Sequence, residues 1–103
     1  MLVTTTENIP GREYEILGLA KGSTIQSKHV GKDIGAGLRN LVGGEVKAYV
    51  EMMNEARDIA TQRMIENASQ MGADAVVSMR YGTSAIMTSA AEVIAYGTAV
   101  KFK

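Results

Sequence analysis

The chain has 103 residues, 46% of them hydrophobic, with 11 Lys and Arg against 11 Asp and Glu and no cysteine. This length and composition predict one folded domain over 1–103 and exclude disulfides, thiolate metal ligands and a cysteine nucleophile. The net charge is zero and no apolar run approaches the roughly 18 residues that span a bilayer, so neither nucleic acid nor a membrane is an expected partner. The first residues lack the basic and apolar regions of a signal peptide, and we expect a cytoplasmic location.

Two strands open the predicted fold. Met1 to Thr6 contains three threonines after a valine, which predicts a short strand, and the dipeptide Pro10-Gly11 marks a turn after it. Tyr14 to Ala20 is apolar at nearly every position, the pattern of a strand that is covered on both faces. The chain is therefore expected to begin with β-structure.

A glycine-rich segment follows, from Gly31 to Gly44. The apolar residues between its glycines recur at helical spacing and predict a short helix from Lys32 to Val42, ended by the last two glycines. The stretch Gly31 to Gly37 contains a lysine but lacks the complete pattern of a dinucleotide loop or a P-loop. Its glycines fit close packing, and the amides at the start of the helix could alternatively hold an anion.

The clearest predicted element is an amphipathic helix from Glu45 to Met71, which Gly72 ends. Its apolar stripe consists of Val46, Tyr49, Val50, Met53, Ala60, Met64, Ala68 and Met71. A second apolar strip beside the first consists of Met52, Ala56 and Ile59. Since one partner surface needs only one stripe, the second strip predicts a contact with another subunit.

Two further strands are predicted, Ala75 to Tyr81 and Glu92 to Phe102, the second with alternating side-chain types. The small, uncharged residues from Gly82 to Ala90 predict a connecting loop, and such a loop could recruit a partner. The order of elements predicts an α+β fold in which a long helix packs on a mostly antiparallel sheet.

Several plain motifs match a known family in their order and spacing. They are Gly-Leu-Arg-Asn-Leu-Val-Gly-Gly at 37–44, Glu-Ala-Arg-Asp-Ile-Ala at 55–60, Gly-Ala-Asp-Ala-Val-Val at 72–77 and Tyr-Gly-Thr-Ala-Val at 96–100. With these motifs and the opening Val3 to Thr6, the chain resembles the YbjQ-like family of uncharacterised bacterial and archaeal proteins over nearly its whole length.

The resemblance implies a fold like the dodecin subunit and assembly into an oligomeric ring, typically a pentamer, in which short strands help to join the subunits. The family's label names heavy-metal binding without an established activity. Where the family usually has an arginine and small residues after Gly43-Gly44, this chain has Glu45-Val46-Lys47. That departure argues against an anion-binding role at this position.

Metal ligands are scarce in the sequence. Soft metals prefer thiolate and imidazole ligands, and the chain has no cysteine and one histidine, His29. A structural zinc site needs four such ligands, so His29 is a candidate metal ligand only if a ring brings several copies of it together. We expect no bound cofactor or metal, and the methionines fit the apolar core.

Arg57 falls within the apolar stripe of the long helix, where an arginine is rarely buried unpaired. Its aliphatic stem could carry the guanidinium to solvent, or the guanidinium could pair with a carboxylate or carbonyl group. We interpret Arg57 as a structural or subunit-boundary residue, together with Arg39, Met52 and Ile59.

The hypothesis that these residues favour is a homo-oligomeric ring that acts as a binding or scaffold protein without catalysis of its own. The alternative is an enzyme, or a metal- or small-anion-binding protein, whose site at a subunit boundary holds Arg57, Arg39 or His29. A lone histidine without a serine elbow motif supports no hydrolytic triad. The expected partner is another copy of the chain, and a small ligand stays open.

Overall fold

The computed structural model describes residues 1–27, 44–87 and 90–103. Its elements are β1 Leu2–Val3, β2 Tyr14–Ser27, α1 Gly44–Gln70, β3 Ala75–Met87 and β4 Ala90–Phe102. One long helix packs on a sheet, so the predicted α+β fold is confirmed. The predicted helix from Lys32 to Val42 lies outside the described residues.

The sheet has four strands in the order β1-β3-β4-β2. β4 pairs antiparallel with β3 on one side and with β2 on the other. β1 is short and pairs in parallel with the start of β3, through Leu2 with Ala75 and Val3 with Val76. The sheet is therefore mixed, with the antiparallel pairings by far the longer ones.

The predicted loop from Gly82 to Ala90 is wrong for most of its length, because β3 continues to Met87 and β4 begins at Ala90. Small side chains do not by themselves end a strand. Gly82 pairs with Ile94, and a Cβ at Gly82 would lie 3.1 Å from the Ile94 Cγ2 methyl group. The glycine makes room for a cross-strand neighbour, so the described part of this segment is strand and not a recruiting loop. β2 likewise extends beyond its predicted end at Ala20, as far as Ser27.

The last residue of α1 is Gln70, one residue before the predicted end at Met71, and the predicted stop is Gly72, whose φ of 83° is in the left-handed region. The amide of Gly72 donates to the Ser69 carbonyl at 3.0 Å, and the amide of Ala73 donates to the Ala68 carbonyl at 3.1 Å. These two bonds form a Schellman motif, which satisfies carbonyl groups that the helix end would leave free. Within the described ranges, no helix combines the length and hydropathy that crossing a membrane requires.

The buried residues of α1 recur every four positions and are Met52, Ala56, Ala60, Met64 and Ala68. The predicted stripe was therefore wrong in phase over the first half of the helix, where Val50 is 49% exposed and Met52 is 3% exposed. Residues four apart form a row that is inclined to the helix axis. Because the sheet under the helix is twisted, the side of the helix that faces the sheet follows this row and changes gradually from one end of α1 to the other. A single straight stripe cannot describe that contact.

Close contact between α1 and β2 depends on Gly22. A Cβ at this position would overlap the helix backbone at Arg63 and Met64. Helix α1 accordingly packs chiefly on β2, less on β4 and least on β3. Ala20, Ala95 and Ala99 complete a core of mostly small residues under the helix.

A second, smaller core lies on the other face of the sheet. It contains Ala75, Val77 and Val100, with the partly buried Ile9, Tyr14 and Phe102 packed against it. The N-terminal segment covers this end of the face, and Arg12 stacks over the Phe102 ring with its guanidinium carbon 4.5 Å from the ring centroid. The remainder of that face has no described element over it.

Candidate functional site

One side of the sheet has none of the described elements over most of its area; this side, called the open face below, carries large apolar side chains. Ala20 and Ala95 pack under α1, so their neighbours along each strand point to the opposite side. The open face consists of Leu19, Lys21, Ser23 and Ile25 from β2 and Glu92, Ile94, Tyr96 and Thr98 from β4. Leu19 is 61% and Ile25 is 60% exposed. A sheet face in contact with water normally carries polar residues. Apolar side chains of this size are therefore typical of a face that packs against another surface.

Charged groups of both signs lie among these apolar residues. Lys21 lies opposite Tyr96, and Glu92 lies opposite Ile25 in the same pair of strands. Arg80 of β3 pairs with Tyr96 from the other side. A surface with both signs can meet another copy of itself with unlike charges opposed, whereas a surface of one sign would repel its copy.

The chain is long and thin, because its three long strands have 13 or 14 residues each. Its radius of gyration is 16.6 Å, whereas a compact domain of this length has about 13 Å. The shortest principal extent is 15 Å, which accommodates one helix layer and one sheet layer and nothing further. The accessible surface is 6428 Å², against roughly 5,600 Å² for a compact monomer of this mass.

The outer edge of β2 is partly capped by α1. Asn67 accepts a hydrogen bond from the Lys21 amide at its Oδ1 atom, with a donor–acceptor distance of 3.0 Å. Arg63 donates from Nη1 to the Ser23 carbonyl at 2.7 Å. Both backbone groups belong to the side of β2 that does not pair with β4, so helix side chains occupy positions that another strand would otherwise use.

A cleft of about 270 Å³ lies where the N-terminal segment meets the sheet. Its lining residues are Glu7, Asn8, Tyr14, Ile16, Val77, Ser78 and Thr98. We call it the bulge cleft, because it adjoins a β-bulge in β3, where Ser78 and Met79 together stand opposite one residue of β4. The bulge cleft is the described concavity with the most varied polar lining.

Ser78 has a φ of 55° and is the non-glycine residue of the described chain with a left-handed backbone. Bulges that need a left-handed residue normally use glycine there. Opposite the bulge stands Gly97, where a Cβ would lie 2.6 Å from the Val76 Cγ1 atom and 3.0 Å from the Val77 carbonyl oxygen. The glycine is thus on β4, and the strained conformation is borne by a serine on β3.

Backbone hydrogen bonds fix the N-terminal segment to this bulge. The amides of Ser78 and Met79 donate to the carbonyls of Thr6 and Thr4, each at 3.0 Å. Arg80 adds a bond from Nη1 to the Thr5 carbonyl at 3.1 Å. The N-terminal segment beside the cleft is therefore held in place by hydrogen bonds to the bulge residues Ser78 and Met79.

Two hydroxyl protons near the cleft are already committed. Tyr14 donates its hydroxyl proton to the Glu7 carbonyl, and Thr6 donates its hydroxyl proton to the Asn8 carbonyl at 2.9 Å. The Tyr14 oxygen can consequently offer the cleft only lone pairs. Together with the Glu7 carboxylate and the Ser78 and Thr98 hydroxyls, it gives a lining that is rich in hydrogen-bond acceptors and has no cationic side chain.

The residues singled out in the sequence do not meet at this cleft. Arg57 is half-buried on α1 and donates from Nη1 to Asn54 Oδ1 at 3.0 Å, so its partner is an amide oxygen one turn away. Met52 is buried inside a single chain and has little surface left for another subunit. Ile59 is half-buried and lines a shallow groove of about 320 Å³ along α1 with Asp58, Gln62, Arg63 and Glu66. A subunit-boundary role for Arg57 and Ile59 stays a prediction.

His29 and Arg39, the other two predicted site residues, lie outside the described residues. Within the part of the chain that the structure describes, no three or more His, Asp or Glu side chains converge in a way that could hold a metal ion. Sequence reasoning missed Ser78, because nothing in the run Ala75 to Met79 marks a left-handed residue. Gly97 gave a signal, since a glycine inside a strand pattern often marks a bulge on the strand beside it.

Comparison with known proteins places the chain in a family. The model of the YbjQ family, described as "Putative heavy-metal-binding", matches residues 1–103. A UPF0145 protein of Clostridium novyi is 65% identical over 101 residues, covering 98% of both chains. A UPF0145 protein of Thermosipho africanus is 59% identical over 104 residues, covering 100% of this chain and 96% of the relative.

A solved structure supports the fold. The crystal structure of a protein of unknown function in the DUF74 family from Pediococcus pentosaceus matches with a TM-score of 0.72 at 18% identity, over 100% of this chain and 98% of that one. At this identity the likeness concerns the fold alone. From the match to the family model over all its residues and the identity to full-length relatives, the chain belongs to the YbjQ family of UPF0145 proteins.

Proposed function

We propose that this chain is a homo-oligomeric binding or scaffold protein of the cytoplasm, without catalysis of its own, whose copies associate through the open face. The observation that carries the proposal is the exposure of Leu19 and Ile25 on that face. The pentameric ring is the assembly we favour, and that number rests on the family resemblance alone.

The chemistry of the open face suits a second copy better than an unrelated partner. Lys21 and Glu92 give it charges of both signs at separate places, so it does not repel a neutral neighbouring copy. In a pentameric ring the contact joins two unequal surfaces, so the open face of one copy packs on a different surface of the next copy. The zero net charge of the chain leaves little repulsion between copies.

The surface area is compatible with such an interface. The accessible surface of 6428 Å² exceeds the expectation for a compact monomer by roughly 800 Å². A stable interface of ordinary size buries about 800 Å² on each partner. In a ring, every copy would bury two such surfaces, which are unequal.

The alternative function is metal or small-anion handling by a site between subunits. The description of the family favours it, since that description names heavy-metal binding. Any such site needs ligands contributed by several copies, with His29 as the one imidazole per chain. Native mass spectrometry of protein purified without added metal distinguishes the two functions, because it reports both the number of subunits and any retained metal.

The interface is tested by measuring molar mass with light scattering at micromolar concentration. We expect the wild type to have a fixed mass that is a multiple of the 11.0 kDa subunit. Leu19→Glu places a charge in the centre of the apolar patch, and we expect this variant to dissociate. Ile25→Glu is expected to act in the same direction.

Val50→Glu is the matched control, because Val50 is also an exposed aliphatic residue but lies on α1. This variant should keep the wild-type mass. A wild-type chain that is monomeric under these conditions would overturn the proposal. Dissociation by Val50→Glu with an unaffected Leu19→Glu variant would move the interface from the sheet to the helix and overturn it equally.

A further inference from the structure

The bulge cleft combines backbone strain with a consistent lining chemistry. Ser78 adopts a left-handed conformation that a glycine would adopt without strain. Strained residues of this kind persist where the surroundings hold them, and they concentrate at binding sites. What Ser78 supplies and glycine would not is a hydroxyl group on the lining of the cleft.

The charge of the lining selects the class of ligand. Glu7 is the charged residue among those that line the cleft, and its carboxylate accepts hydrogen bonds. The hydroxyls of Ser78 and Thr98 accept bonds as well, and the Tyr14 oxygen has only lone pairs to offer because its proton is donated to the Glu7 carbonyl. Asn8 also lines the cleft, and its side-chain amide and the two hydroxyls can donate as well as accept, so it is the charge of Glu7 that selects the ligand. A lining with one carboxylate and no cationic side chain repels anions and favours a cation that carries N–H donors.

The volume of the cleft and its apolar side chains restrict the class of ligand further. Ile16 and Val77 line the same cleft and provide hydrocarbon surface. A volume of about 270 Å³ admits only a small molecule. One carboxylate balances one positive charge, whereas a calcium site normally uses several charged oxygens and a complete oxygen shell. An alkylammonium group satisfies both the acceptors and the hydrocarbon walls.

We propose that the bulge cleft binds a primary ammonium group on a short alkyl chain, with Glu7 as its counter-ion and Ser78 as a hydrogen-bonding residue. The source of the ammonium group is a free alkylamine or the side chain of a lysine residue. Every lining residue belongs to one chain, and one of them, Thr98, also belongs to the open face. The titration is therefore made on the dissociated Ile25→Glu variant as well as on the wild type, so that failure of this proposal and failure of the proposed assembly can be distinguished.

The test is a titration of ¹⁵N-labelled full-length protein followed by amide chemical shifts. Propylammonium is the probe, and 1-propanol and propionate are its neutral and anionic counterparts. We expect saturable shifts for propylammonium at the amides of Thr6, Ser78 and Thr98, and no saturable shifts for the other two compounds. Nα-acetyl-lysine amide is the second probe, and the tighter binder of the two ammonium compounds identifies the source.

Two variants test the parts that the Glu7 charge and the Ser78 hydroxyl have in binding, and a third variant is the control. Glu7→Gln keeps the shape and removes the charge, and we expect binding to weaken at least about tenfold, since hydrogen bonds between charged groups contribute that much or more. Ser78→Ala keeps the left-handed strain and removes the hydroxyl, and we expect a loss of about threefold. Glu55→Gln removes an exposed carboxylate from α1 and should bind as the wild type does.

Ser78→Gly keeps the experiment decisive if the alanine variant folds poorly. Glycine relieves the strain and also removes the hydroxyl, so this variant should be folded, at least as heat-stable as the wild type, and weaker in binding. The proposal fails if propylammonium gives no saturable shifts, if propanol or propionate binds equally well, or if Glu7→Gln and Ser78→Gly both bind with unchanged affinity.

Discussion

The two faces of the sheet are built from the same strands and differ in the size of their side chains. Under α1 stand Ala20, Gly22 and Ala95, whose small size lets the helix backbone approach the strand backbone. On the open face, the alternate positions of the same strands carry leucine, isoleucine and tyrosine. Small residues thus mark the contact that α1 makes, and large exposed ones mark the face that no described element covers.

The largest effect that separates the two faces should come from Met64→Ala. Met64 of α1 is fully buried in the core between the helix and the sheet, and removing such a side chain typically lowers the free energy of unfolding by about 3 kcal/mol. The loss should appear at every protein concentration, because the contact lies within one chain. Urea unfolding measured at several concentrations checks this.

Leu19→Ala is the matched change on the open face. In the dissociated chain it should lower the free energy of unfolding by less than about 1 kcal/mol, since the side chain is mostly exposed. Its effect should increase with protein concentration as copies associate. Equal, concentration-independent losses for Leu19→Ala and Met64→Ala would remove the distinction between the faces.

The effect expected from Gly22→Ala is smaller than that of Met64→Ala. The new Cβ would meet helix backbone, which cannot turn aside as a flexible side chain can, so the free energy of unfolding should fall by about 2 kcal/mol. Ser23→Ala is the control, because Ser23 is the next residue of β2 and is exposed on the open face. That control should change thermal stability by no more than about 0.5 kcal/mol. A Gly22→Ala variant that melts like the wild type would show that α1 does not rest directly on β2.

The smallest effect concerns the bulge between the two faces. Ser78→Gly should raise the free energy of unfolding by about 0.5 kcal/mol, because relief of the left-handed strain slightly exceeds the added flexibility of the unfolded chain. Differential scanning calorimetry of the two proteins at equal concentration measures it. A clear decrease in melting temperature would mean that the Ser78 side chain stabilises the fold itself.

Local signals in the sequence predicted the parts of the fold that depend on neighbouring residues. Gly72 ends α1 through a motif of a few residues, so its position could be read directly. The direction in which α1 crosses the sheet depends on strand twist, and no single stripe of α1 residues encodes it. For that reason the sequence predicts wrongly that Val50 belongs to the buried stripe of the helix and that Met52 belongs to a second strip beside it.

Pairwise contacts explain the other differences. Gly82 looks like a turn residue until Ile94 is known to lie opposite it. Ser78 gave no local sign of a bulge, because its conformation follows from Gly97 across the strand pair and from the carbonyl of Thr6. The bulge cleft joins residues from three separate parts of the chain, so no spacing within the sequence could have brought them together.

The capping of β2 by Asn67 and Arg63 bears on how far association can proceed. Strands that pair edge to edge can add copies without end, as in fibrils, because each added copy presents a fresh edge. Here the Lys21 amide and the Ser23 carbonyl are already bonded to helix side chains, so a strand from another copy cannot run unbroken along this edge. The edge that β2 forms is thus unsuited to the unlimited addition of strands, and contacts between side chains, which can close on themselves, are the alternative there.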